Sequence, residues 1–68
     1  MSCYAVFHDS RQLRVYSYDT LSLVDWTRAS DLAFAFAKRQ HAAGYPCTVE
    51  RFHMCDVGVT VLNTAEVS

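Results

Sequence analysis

His53 and Cys55, separated only by Met54, are the closest pair of chemically capable side chains in this 68-residue sequence. Cys47 lies upstream, and Cys3, His8 and His41 complete a set of soft ligands. A structural zinc site takes ligand pairs spaced as Cys-x₂₋₄-Cys and His-x₃₋₅-His. Neither spacing occurs here. A thiolate–imidazole dyad of Cys55 and His53 is geometrically allowed, because residues i and i+2 of a strand share a face. It would still need an orienting third group and an oxyanion pocket. The sequence shows no orienting group at a telling spacing and no Gly-rich loop, its only glycines being Gly44 and Gly58. The expectation is therefore no catalysis, no metal and no cofactor, with Cys3 and Cys47 serving as small buried apolar residues.

Basic and aromatic residues form the next candidate set. Arg11, Arg14, Tyr16 and Tyr18 fall on the first hairpin, and Arg51 on a later β-like run. On an open sheet face such tyrosines, with Tyr4, would stack on bases while the arginines met phosphates. Six Lys and Arg are interspersed with seven Asp and Glu, giving a net charge of −1 and no basic stripe. Broad attraction to a polyanion is thus absent, and nucleic-acid binding stands as the alternative function.

These side chains must be positioned by a small number of elements. Cys3 to His8 is apolar and rich in aromatic and β-branched residues, which suits a strand. Asp9 to Gln12 reads as a polar loop, without the Asn-Gly or Asp-Gly of a tight hairpin. Leu13 to Tyr18 predicts the second strand. Residues 19–26 open as a turn but are too apolar for a solvated loop. They read either as an extension of that strand or as a lid over the helix. The helix is predicted over Ser30 to Ala43, with Ser30 or Thr27 as N-cap, Gly44 as its left-handed stop and Pro46 beyond. Asp31 near its start and Lys38, Arg39 and His41 near its end suit the helix dipole. Cys47 to Phe52 and Val57 to Leu62 predict two more strands, turning through His53 to Asp56, with a fraying tail from Asn63 to Ser68. The reading is one α+β domain over 1–68. It has a four-stranded antiparallel sheet with one helix packed on a face, in ββαββ order.

At about 100° per residue, Leu32 and Phe36 fall about 40° apart, with Ala29, Ala33 and Ala43 near the same stripe. Phe34 falls about 200° from both, towards Ala37, Lys38 and His41. Either residues 21–26 cover Phe34, or Phe34 anchors a protein interface with Lys38, His41 and Trp26, or it is exposed without a role. The function expected from the interface reading is a non-catalytic protein-interaction module. Its partner would be a larger protein or ribonucleoprotein complex, with a homodimer as the further option. The odd count of three cysteines, the lack of a basic–apolar leader and a longest charge-free run of only 32–37 predict a cytoplasmic chain with reduced thiols and no membrane span.

A strand hairpin, an alanine-rich helix entered through Arg28-Ala29-Ser30-Asp31, and Ala43-Gly44-Tyr45-Pro46 leading into Thr48-Val49-Glu50-Arg51 resemble small phage-borne and mobile-element proteins. Some anti-CRISPR inhibitors share this length and element order. The resemblance implies a protein that docks on a larger host complex and occludes a site, without shared catalytic residues. The same helix–Gly–strand junction is similar to half of a peptidoglycan-binding SPOR domain. The opening hairpin and the missing second helix separate the chain from that family.

Overall fold

The chain alternates strand, strand, helix, strand, strand: β1 (Ser2–His8), β2 (Arg11–Tyr18), α1 (Leu23–Ala42), β3 (Cys47–Cys55) and β4 (Gly58–Val67). The structure is a computed structural model that describes all residues except Met1, Asp56 and Ser68. The four strands form one antiparallel sheet in the order β2-β1-β3-β4, with the helix on one face, which is the expected α+β architecture.

The first hairpin is tighter than its sequence predicts. His8 pairs with Arg11, so only Asp9 and Ser10 turn, and Arg11 and Gln12 belong to β2. Both turn residues take positive φ, 49° and 68°. That is the backbone of a type I′ turn, whose twist matches the flanking strands although neither residue is glycine. A bulge between Val6 and Phe7 then inserts Leu13 into β2 as an extra residue.

The stretch 19–26 is neither a lid nor a strand extension. Asp19 to Ser22 makes a turn, with Asp19 Oδ1 accepting from the Leu21 amide at 2.9 Å. The helix begins at Leu23, with Ser22 as N-cap in place of Ser30 or Thr27. The Ser22 hydroxyl accepts from the Asp25 amide at 3.2 Å, and the Asp25 carboxylate accepts from the Asp19 amide at 2.7 Å. Thr27 donates its hydroxyl to the Leu23 carbonyl and so sits within the helix. The far end closes as expected. Gly44, at φ 97°, lets its amide reach the His41 carbonyl and the Tyr45 amide reach Gln40, a Schellman pair of bonds.

The helix rests on Ala29, Ala33 and Ala37, each fully buried. Spaced by four, they form one stripe whose short side chains let the helix backbone approach the sheet. Phe34 and Phe36 lie on the two flanks of that stripe, both partly buried against the core. Phe34 therefore does not point to the opposite side, and Leu32 is exposed rather than part of the seam. The angle between the two phenylalanines is as the spacing says. The centre of the buried face simply falls between them.

Beneath the helix, Tyr4, Val6, Tyr18, Cys47, Val49 and Val67 complete the core. β3 runs to Cys55, so His53 to Cys55 are strand rather than turn, and Asp56 lies outside the described residues. β4 runs to Val67, so the segment read as a fraying tail pairs with β3 through Val67↔Cys47. A second bulge, between Arg51 and Phe52, leaves Leu62 as the extra residue of β4.

Candidate functional site

Strand register divides the candidate side chains between two faces of the sheet. Ser2, Tyr4, Val6, Tyr16, Tyr18, Arg14, Arg51 and His53 share the face under the helix. Here Trp26 is a hub. Its indole N–H donates to the Tyr4 hydroxyl at 2.7 Å, its ring stacks on Tyr18 at 5.5 Å, and the Arg51 guanidinium lies 4.9 Å from its centroid. The Arg51 Nε is buried without a hydrogen-bond partner, so attraction to the indole face supports this charge. Trp26 is thus occupied inside the fold.

The interface residues read on the helix separate accordingly. Lys38 and His41 are exposed and follow Phe34 at i+4 and i+7, so the three share one flank. Trp26 does not join them. On the other flank the guanidinium of Arg14 lies 4.6 Å, and that of Arg39 6.0 Å, from the Phe36 ring centroid. Of the nucleic-acid set, Tyr18 is buried, Tyr16 packs against the core and Arg51 lies over Trp26, while Arg11 and Arg14 are exposed. No open platform of tyrosines is formed by these residues.

The thiols and imidazoles are also dispersed. His53 Nδ1 hydrogen-bonds the buried Ser2 hydroxyl at 2.9 Å, and His8 Nδ1 donates to the Pro46 carbonyl at 2.7 Å. The Cys55 thiol donates to the Gly58 carbonyl at 3.6 Å. Burial pushes the Cys3 and Cys47 thiols above their ordinary pKa, the condition of packed rather than nucleophilic cysteines. Among the described residues no three His, Cys, Asp or Glu side chains group as metal ligands.

The other sheet face is the one that sequence reasoning missed. Cys3, Ala5 and Phe7 of β1 point there, with Val15 and Ser17 of β2, Thr48, Glu50, Phe52 and Met54 of β3, and Val59, Val61, Thr64 and Glu66 of β4. No element among the described residues covers it. Phe7 and Phe52 arise from opposite ends of the β1–β3 pair, yet their rings meet edge-to-face at 6.2 Å. They must lean together across the residues between them, which accounts for Ala5 being 1% exposed on an uncovered face. Around this aromatic ridge Val15 is 41%, Val61 53% and Val59 62% exposed. At the opposite end a shallow concavity of about 640 Å³ is lined by Phe7, Asp9, Thr48, Glu50 and Glu66, among others. The alternation of apolar residues in β3 and β4 was legible. That both alternate sets are apolar in β1, although only one of them lies under the helix, was the available signal.

Fold and face together define a small α+β protein with one sheet face sealed by a helix and the other bare and largely apolar. Comparisons of the chain with protein-family models, curated proteins and solved structures return no match. Among the described residues no helix is long and apolar enough to cross a membrane.

Proposed function

We propose that the chain is a non-catalytic protein-interaction module, a phage-type, anti-CRISPR-like inhibitor that docks on and occludes a larger host macromolecular complex. The observation that carries this reading is the bare sheet face, where Phe7, Phe52, Val15, Val59 and Val61 form a contiguous apolar surface. A patch of this kind is a docking surface in most proteins that keep one. Its backbone is held in a sheet, so docking costs little ordering entropy. The site therefore moves from the Phe34, Lys38 and His41 flank to the sheet. The three free cysteines fit a reducing compartment such as the cytoplasm. Nucleic-acid binding is the weaker reading, because its tyrosines are committed to the core.

The test uses a complex retained by the wild-type chain from its native host. Val61→Asp should abolish retention while the far-ultraviolet spectrum stays unchanged, and Lys38→Ala with His41→Ala should leave retention intact. Loss on the helix variants alone would relocate the interface to that flank. Retention of nucleic acid in place of protein, abolished by Arg14→Ala, would replace this reading by the alternative.

A further inference from the structure

All six Lys and Arg side chains of the sequence belong to one side of the sheet. Arg28, Lys38 and Arg39 are on the helix, and Arg11, Arg14 and Arg51 occupy strand positions in register with helix-facing residues. The strand positions of the bare face carry only Glu50 and Glu66 as charges, while Asp9, in the rim of the concavity, already faces His8 Nε2 at 3.3 Å. Among the described side chains the sheet thus separates charge, with the Lys and Arg on its covered side and Glu50 and Glu66 on its open side.

We infer that the bare face receives a protein segment presenting aliphatic or aromatic anchors beside Arg or Lys, the anchors on the Phe7–Phe52 ridge and the cations at Glu50 and Glu66. This inference rests on the docking function proposed above and names the chemistry of its partner. Carboxylates desolvated at an interface need a cation, since unpaired burial of charge is costly. Among the described residues no side chain of the open face supplies one, so two copies meeting face to face would leave these carboxylates unpaired. Copies stacked open face to helix face would satisfy the charges, but such a head-to-tail contact builds a ring or an open filament rather than a closed pair. A basic, apolar segment of another protein satisfies both the ridge and the acids. The two longer dimensions of the molecule, 36 and 26 Å, bound a face comparable to the ~800 Å² that each partner contributes to a standard interface.

The test is a nuclear magnetic resonance titration of the ¹⁵N-labelled full chain with two hexapeptides. One alternates arginine with phenylalanine, valine and leucine, and the other carries glutamate in place of arginine. The arginine probe should shift the amides of Val15, Glu50, Phe52, Val61 and Glu66, and bind about tenfold more tightly than the glutamate probe. Glu50→Gln combined with Glu66→Gln, which keeps size and shape, should erase the difference. Equal binding of both probes at the open face would overturn the charge inference and leave the docking function standing. Shifts confined to the helix side, or none with either probe, would overturn both. Growth of particle size with concentration, abolished by Val61→Asp, would show a second copy as the occupant and overturn the inference of a basic partner.

Discussion

Trp26 shows how one side chain can look like an interface anchor and prove to be structural. Tryptophan is a common hot-spot residue, and in the sequence it stands among Leu21, Leu23 and Val24, as though part of an apolar surface. In the fold its N–H and both its aromatic and cationic neighbours are internal, binding α1 to β1, β2 and β3. Trp26→Ala should therefore destabilise the chain by about 3–5 kcal/mol, the range for emptying a large aromatic site. The loss also leaves the Tyr4 hydroxyl without its donor and Arg51 without its ring. Thermal unfolding checks this, and an unchanged melting temperature would show that the hub does not hold the helix down. Leu21, Leu23 and Val24 themselves remain on the surface, 94%, 75% and 82% exposed.

At the scale of the element, the helix start depends on two short polar side chains. Ser22-x-x-Asp25 is a capping arrangement, in which Asp25 reaches back to the Asp19 amide and also pairs with Arg28 at 2.8 Å. The Asp19 amide first, and then Arg28, hold the Asp25 carboxyl below its ordinary value of 3.8. A carboxylate whose native pKa is depressed contributes stability that is complete above the unfolded value and is lost as pH falls through the native one. The amides of Asp19 and Asp25 should accordingly titrate with a midpoint below 3.8, and the first helical turn should loosen only in that acid range. Asp25→Asn should remove the titration, whereas a midpoint at or above the ordinary value would show that the cap is not formed. Ser22→Ala should cost about 1 kcal/mol, the usual worth of such a cap.

For the whole molecule, the division into a covered and a bare face has a direct consequence for stability. Val6 on the covered side is completely buried, whereas Val59 and Val61 face solvent. Val61→Thr keeps the β-branched shape that strands favour, so it should change stability by less than about 0.5 kcal/mol. Val6→Thr places a hydroxyl in the core without a partner and should cost about 1–3 kcal/mol. Denaturant unfolding of the two variants checks the assignment of faces. Similar losses would mean that the open face is already sealed by a second copy.

Much of this fold was legible because its signals are local. The left-handed stop at Gly44, the alanine-rich helix and the apolar strand runs each lie within a few residues, and steric and hydrogen-bonding preferences act at that range. The helix start was also written locally, in Ser22-x-x-Asp25, but the aliphatics of 21–24 suggested burial that the fold does not provide. What tertiary structure alone decided was which surfaces are covered. The described residues hold one helix for two sheet faces, and strand register, set by pairs as distant as Ser2 and His53, assigns each strand side chain to one of them. The tyrosines and arginines read as a binding platform fell on the helix side of the sheet, Tyr18 buried there and Arg11 and Arg14 exposed at its margin. The small residues Cys3 and Ala5, with Phe7, fell on the open side. Hydrophobic character records that a residue gains by leaving water. Only the pairing of distant strands determines whether this chain supplies its cover or another molecule must.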